Sequence, residues 1–274
     1  MDKSLLERSI YYIIITVAAL LTIFPIFYIV SLSFQGVKEM WSYPPPLLPS
    51  KLRWSNYIQA WNAAPFSRFT LNSFVVAGSI TMIHLFLDSL GGYVFAKFRF
   101  PGQNLIFLLI YSTLVFPIFI RMIPLYIICN SFGWNNTYQG LIFPFMTSAF
   151  GIFLMRQIIL PIPRELIESA RIDGCSELGI FWRIIMPLCK PGLAIIVVYT
   201  FIFQWNSFLW PLIMIDTTPM KTLPLGITAF SRDHWMQWNL VAASAIFLFI
   251  PTLILFITMQ KWIMRGALIS GLKS

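Results

Sequence analysis

Charge is scarce in this chain: ten acidic and nineteen basic side chains among 274 residues leave 11% of positions charged, against roughly 25% in ordinary soluble domains. Histidine occurs twice and cysteine three times. The cysteines, Cys129, Cys175 and Cys189, have no metal-like spacing, and so few of them argue against a disulfide framework. No G-x-x-x-x-G-K-[ST] loop is present. The nearest approach runs from Gly266 to Gly271 with Leu272 before Lys273, lacking a strand ahead of it or a helix behind it, so this chain carries no ATP-hydrolysing site of its own. No Ser/His/Asp, paired-acid or His-rich constellation falls within its apolar stretches, which argues against an intramembrane enzyme.

Apolar length is abundant. Hydrophobic side chains make up 58% of the chain and the mean hydropathy is +0.77, so the sequence describes an integral membrane protein. Residues 10–34, 104–120, 138–155, 191–215 and 238–259 contain no charge, and a sixth run, 70–96, is interrupted by His84 and Asp88. Each is near or above the roughly 18–20 residues a helix needs to cross about 30 Å of hydrocarbon. Polar and apolar residues do not alternate, which excludes β-barrel strands. The expectation is an all-α protein of six transmembrane helices forming one transmembrane domain over 1–274. The first run lacks an A-x-A-type cleavage site and reads as a retained span.

Lys3, Arg8, Lys97, Arg99, Arg156, Arg164, Arg171, Arg183, Lys190, Lys261, Arg265 and Lys273 fall on one side if the N-terminus is cytoplasmic, which places both termini inside. Lys38, Lys51, Arg53 and Arg68 oppose this moderate bias. The net charge of +9 therefore follows membrane topology and does not call for a nucleic-acid partner. Residues 35–69, with "SYPPPLLPSKLRWSNYIQAW", read as an external loop holding a short interfacial helix, with Trp41, Trp54, Trp61 and Tyr57 as interface anchors. "KFRFPGQN" (97–104) is a cytoplasmic turn, while "NSFGWNNT" (130–137) and residues 214–238 are external. Pro25, Pro117, Pro124, Pro144, Pro211 and Pro251 lie within spans, where they allow kinks or line a cavity.

The most charge-rich passage, "ESARIDGCSELGIFWRIIMP" (168–187), sits in the loop 158–190 between the fourth and fifth spans. Pro163 suits the first turn of a helix over about 163–173, Glu165 and Glu168 lie toward its positive end, and Gly174 is placed to stop it. Ser176 is an N-cap candidate for a second helix, with Leu178, Phe181, Trp182 and Ile185 on one apolar face before Pro187 interferes. Periodicity alone leaves two readings open, a solvated connector or a docking element for a soluble partner.

The same passage resembles the EAA signature of permease subunits of bacterial ABC importers. Glu168-Ser169-Ala170 stands for Glu-Ala-Ala, Asp173-Gly174 for the usual Asp-Gly, and Ile184, Met186 and Pro187 for the closing Ile-x-Leu-Pro. Ser169 and Met186 depart from the pattern, and the spacing is intact. "GGYVFAKFRFPGQ" (91–103), "IPLYIICNSFGWNNTYQGLI" (123–142), "QWNSFLWPLI" (204–213) and "MQKWIMRGALISGLKS" (259–274) are similar, in order, to segments of MalG-like permeases of carbohydrate importers. Asp88 stands where that family usually has a small apolar residue.

The resemblance implies a type I ABC importer permease fold, with 158–190 as the coupling loop. Glu168, Ser169, Ala170, Asp173 and Gly174 would contact an ATP-hydrolysing subunit, and Pro187 would fix the return to the membrane. Ser270, Gly271 and Lys273 in the tail would form a second contact, unless that tail is a frayed basic end. It further implies a second homologous permease, two ATP-binding subunits and an extracytoplasmic solute-binding protein in a prokaryotic inner membrane. ATP and Mg would be held by partners, with no cofactor or metal on this chain.

The expected cargo is a sugar, oligosaccharide or sugar-polyol such as a glycosyl glycerol or glycerol phosphate. A non-carbohydrate solute, or an ion-driven secondary carrier, is the alternative. Candidate residues for the solute path are Asn72, Gln204, Trp205, Asn206 and Trp210, each of which has an alternative role as helix–helix glue or an interface anchor. His84 reads as a packed or capped histidine, and Asp88 as a partner for a neighbouring base, Lys97 or Arg99, or as an acid that snorkels to the interface.

Overall fold

The structure is a computed structural model that describes the backbone of residues 3–232 and 235–271, and the side chains of residues 7–230 and 236–262. Among these residues the regular structure is helical apart from one two-residue antiparallel ladder, Ser231–Arg232 with Trp235–Met236. Three of the six expected spans are single helices long enough to cross a membrane: Glu7–Phe34, Phe66–Lys97 and Trp238–Trp262.

The other three are broken. The run 104–120 is not one helix, because Gln103–Ser112 ends and Ile118–Ser131 begins only after Pro117. Pro117 has no N–H to continue the ladder and pushes Phe116 out of the helical region. The run 138–155 divides into Tyr138–Phe145 and Ala149–Ile159, bent by 43°. The run 191–215 becomes Lys190–Trp205 and Leu209–Met214. Pro187 does not end the second loop helix: helical structure continues through Leu188, with a π turn at Phe181–Ile185 ahead of it. The chain instead turns by 83° between Leu188 and Lys190.

Two compact units divide the chain. In the first, residues 1–66 with 226–250, the segment after the long first helix folds back on that helix's end. Asn56 Nδ2 donates to the carbonyls of Ser33 and Gln35, both at 2.9 Å, satisfying groups that a helix end leaves without partners. Gln35 Nε2 donates to Pro46 O at 2.9 Å. The expected short interfacial helix is Ser55–Asn62, and it brings Trp54 and Tyr57 onto Phe34 and Tyr57 and Trp61 onto Phe247. These ring contacts, with Tyr57 half-buried, help to hold the segment down.

The second unit, residues 67–225 with 251–274, has two apolar cores. One joins Val76, Ile80, Cys129, Leu141, Trp210 and Met214. The other joins Tyr93 and Ala96 to Met155 and Ile159, and both to Ile167, Ala170, Ile180, Phe181 and Ile185 of the loop 158–190. The Phe66–Lys97 helix contributes to both cores, and the stretch between them carries His84 and Asp88. Its crossing with Ala149–Ile159 is close at Gly92, where a Cβ would lie 2.8 Å from the backbone nitrogen of Arg156, the kind of approach that small residues permit between membrane helices. Gly78 of the same helix faces open space.

Gly92→Ala is therefore expected to lower the melting temperature of the detergent-solubilised protein, at a cost of about 1–3 kcal/mol for overpacking. Gly78→Ala, which meets nothing and gains helix propensity, is expected to leave it unchanged or raised. Equal melting temperatures for the two variants would contradict the close crossing.

Candidate functional site

The loop 158–190 is built as a rigid projection. Its first helix is Arg164–Ile172, with Pro163 at the N-cap position. Gly174 has φ +82°, a left-handed conformation that costs a side-chain-bearing residue roughly 1–2 kcal/mol. Cys175 N–H then donates to Ala170 O at 2.9 Å and Gly174 N–H to Arg171 O at 3.0 Å, the paired bonds of a Schellman stop. Ser176 Oγ accepts from Gly179 N–H and caps the second helix.

Burial separates the two faces of this projection. Ile167 and Ala170 are buried in the core, whereas Glu168, Ser169, Asp173, Gly174 and Pro187 are exposed. Ile172 is 86% exposed, and Leu166 and Leu178 are exposed as well. Glu177 ties the projection to the bundle: Tyr93 Oη donates to its Oε2 at 3.1 Å and Arg171 Nε to its Oε1 at 2.6 Å. The Arg171 guanidinium also stands over the Phe98 ring, 5.9 Å from its centroid. The bond from Arg171 holds the Glu177 carboxyl below the usual carboxylate range, and Glu177 in turn raises Arg171.

The second polar centre lies at the break between Phe145 and Ala149. Asp88, fully buried, accepts from Thr147 Oγ1 at 2.6 Å, from Ser148 N–H at 3.1 Å and from Ser148 Oγ at 3.1 Å. Ser148 Oγ in turn caps Gly151 N–H at 2.9 Å, so one carboxylate organises the N-terminus of Ala149–Ile159, where a negative charge is favoured. A Cβ on Gly151 would overlap the Asp88 carboxylate. His84 Nε2 lies 2.7 Å from Phe145 O, a pure acceptor, so that nitrogen carries a proton. Its Nδ1 lies 3.0 Å from Asp88 Oδ2 and 3.3 Å from Thr200 Oγ1. Asp88 thus pairs with His84 one turn earlier, and the expected pairing with Lys97 or Arg99 is not formed. Lys97 Nζ donates instead to the carbonyls of Leu160 and Ile162, just beyond the end of Ala149–Ile159.

Beside this break a cavity of about 530 Å³ is lined by His84, Arg121, Ser148, Tyr199, Thr200 and Gln204 with apolar neighbours. Its volume lies within the range of small-molecule sites, roughly 300–1,000 Å³.

Residues 89–268 match the family described as the inner membrane component of binding-protein-dependent transport systems. The sn-glycerol-3-phosphate transport system permease protein UgpE of Yersinia enterocolitica serotype O:8 / biotype 1B is 35% identical over 263 residues, covering 93% of this chain and 94% of its own. The chain belongs to this family. It is a permease subunit of an ABC importer, a multi-pass inner-membrane protein and a transport component. The arabinooligosaccharides transport system permease protein AraQ of Bacillus subtilis (strain 168) is 32% identical over 274 residues, covering 97% of this chain and 98% of its own. In fold, the permease matches a chain of a bacterial ABC transporter involved in the import of the acidic polysaccharide alginate, with a TM-score of 0.84 at 24% identity over 95% of this chain and 98% of the other.

Of the five residues expected along a solute path in the permease, only Gln204 lines the cavity. Asn72 is fully buried and spends its amide on Pro219 O and Lys221 O, both at 2.8 Å, while its Oδ1 accepts from Tyr138 Oη. Trp205 packs against Phe74 and Phe201. Trp210 Nε1 donates to Gly140 O at 2.9 Å, and Asn206 Nδ2 to Ile202 O at 2.8 Å. In the tail, Ser270 and Gly271 fall where side chains are outside the described residues, and Lys273 lies outside them altogether. The cavity residues that sequence reading missed, Arg121, Tyr199 and Thr200, lie in segments distant along the chain. For Arg121 a signal existed, a lone base directly after the charge-free run 104–120.

Removing the carboxylate with Asp88→Ala orphans the Ser148 N–H and the His84 ring together, and is expected to cost the permease about 3–5 kcal/mol, the range for a broken buried pair. Gly151→Ala should be as harmful alone, yet the two substitutions together should cost less than their sum, because the added methyl no longer meets the carboxylate. Thermal unfolding of the four proteins checks this, and strict additivity would contradict the contact.

The Arg171–Glu177 pair is half-exposed, so its worth is at most about 1 kcal/mol. Because the Glu177 carboxyl is lowered in the fold, that contribution is full above the ordinary carboxylate range and is lost as pH falls through the lowered value. Proteolytic sensitivity of the 164–180 loop should therefore rise on acidification, and Glu177→Gln should show raised sensitivity already at neutral pH.

Proposed function

We propose that the permease carries a sugar, oligosaccharide or sugar-polyol derivative across the cytoplasmic membrane by alternating access driven by ATP hydrolysis on partner subunits. The reading of the cargo draws on the relatives named for sn-glycerol-3-phosphate and for arabinooligosaccharides. The assembly contains a second homologous permease, two ATP-binding subunits and an extracytoplasmic binding protein, with ATP and Mg held by the ATPases. Both termini face the cytoplasm, 35–69 is external, and 158–190 is the cytoplasmic coupling loop.

One observation carries the mechanism: the Arg164–Ile172 helix buries Ile167 and Ala170 in the same core as Met155 and Ile159, while its other side stays exposed. A push on the exposed side is transmitted through packed, nearly incompressible contacts to the Phe66–Lys97 and Ala149–Ile159 helices. Glu168, Ser169 and Asp173 give the docking its register, since charges at an interface rim set orientation more than affinity. Ala170 seats the lever on the bundle. Gly174 stops the helix at a defined point, and Pro187 lies just ahead of the sharp return into the membrane. Ser270, Gly271 and Lys273 make the secondary ATPase contact.

Glu168→Lys and Gly174→Val are each expected to abolish solute uptake and the stimulation of ATP hydrolysis by the binding protein. The variants should insert at normal levels and remain monodisperse in detergent. Normal uptake by proteoliposomes containing either variant would overturn the assignment of this loop as the coupling element.

A further inference from the structure

The cavity beside the broken span has an uneven chemistry. Its lining contains two basic side chains, His84 and Arg121, and no carboxylate. His84 is already matched by Asp88 at 3.0 Å behind the wall. Arg121 is not matched: it makes no hydrogen bond or ion pair with any described residue. Its position is also unfavourable for helix stability, since it sits in the first turn of Ile118–Ser131, where a positive charge opposes the helix dipole. A basic residue kept in an apolar, membrane-inserted segment at a cost to its own helix marks a ligand pathway more often than a structural device.

We propose that this cavity is a solute subsite for an oxyanion, a carboxylate or phosphate ester borne by a sugar or polyol, with Arg121 as its counter-charge. The proposal deepens the importer reading and rests on it. A guanidinium presents a planar fork of donors that fits two oxygens of a carboxylate or phosphate. Gln204 and Tyr199 offer an amide and a phenol to the hydroxyls. The rings of Phe150, Tyr199 and Phe203 lie in contact, with Phe150 to Tyr199 at 4.7 Å and Tyr199 to Phe203 at 6.2 Å between centroids, and provide apolar faces for the carbon skeleton. A lipid headgroup phosphate has the same oxyanion chemistry, and the experiment separates the two sources.

The assembled transporter, without its binding protein, is placed in nanodiscs of phosphatidylcholine alone or with phosphatidylglycerol. Equilibrium binding of galacturonate and glycerol 3-phosphate is compared with that of galactose and glycerol. The wild-type complex is expected to bind each anionic probe about tenfold or more tightly than its neutral counterpart, the worth of one charge-assisted fork. Arg121→Gln should erase that preference, and Arg121→Lys should keep part of it. Gln204→Ala should weaken anionic and neutral probes alike.

An equal affinity for anionic and neutral probes in wild type overturns the proposal, as does a preference that survives Arg121→Gln. A variant that changes only phosphatidylglycerol retention, with probe binding untouched, assigns Arg121 to the lipid and overturns it too. If Arg121→Gln fails to fold, the Arg121→Lys comparison decides, and an unaltered preference there counts against the fork. Stimulation of ATP hydrolysis by the binding protein in the wild-type complex tests the importer reading separately.

Discussion

Every backbone donor and acceptor at membrane depth must find a partner within the protein, because hydrocarbon supplies none. An unbroken helix meets this demand by itself; a broken one exposes its ends. In this permease the fourth apolar run is broken, and the burden falls on Asp88. Its carboxylate gathers Thr147, the Ser148 amide and the Ser148 hydroxyl, and through Ser148 the Gly151 amide. His84 takes the carbonyl left at Phe145 on the other side of the gap. One acid and one imidazole, a helical turn apart, thereby make the interruption tolerable. The neighbouring cavity, and with it any path for a polar solute beside this break, exists because the helix was allowed to stop there.

The same demand recurs elsewhere in the chain. Asn56 closes the carbonyl end of the first long helix, and Lys97 closes the end of Ala149–Ile159. Polar residues that read as candidates for solute contact, Asn72 and Trp210 above all, turn out to serve backbone carbonyls. A polar side chain in a membrane helix is in short supply, and the backbone claims it before the cargo does. What is left over is informative for that reason: Gln204, Tyr199 and Arg121 line the cavity with side-chain polar groups that no described residue engages.

The loop 158–190 obeys a different constraint, that of an exposed element needing a seat on the bundle. Ile167 and Ala170 from its first helix, with Ile180, Phe181 and Ile185 from its second, bind it to a core that Tyr93, Ala96, Met155 and Ile159 supply from two membrane helices. Glu177 adds a bond to the Phe66–Lys97 helix through Tyr93 and another within the loop through Arg171. Since that pair is half in solvent, its contribution is orientation more than stability. The outward face keeps its acids and its Schellman stop free for contact.

The order of apolar runs, the all-helical class and the loop's two helices, from Pro163 through Gly174 to Ser176, follow from the sequence alone. Each is a local matter: span length, a cap, a residue able to adopt positive φ. The signature spacing from Glu168 to Pro187 likewise identified the family from sequence. The breaks at Thr113–Pro117 and Phe145–Ser148 were less legible, because a proline permits an interruption without requiring one, and whether the helix stops depends on what satisfies the freed groups. The partner of Asp88 was missed for a related reason. Lys97 and Arg99 are nearby along the chain and of opposite charge, but Thr147 and Ser148, some sixty positions on, and His84, already proton-bearing through Phe145 O, meet it in space. Only the tertiary structure decided which polar residues the backbone consumed and which remained for a ligand, since hydrogen-bond partnership at membrane depth is settled by distance between elements remote in sequence.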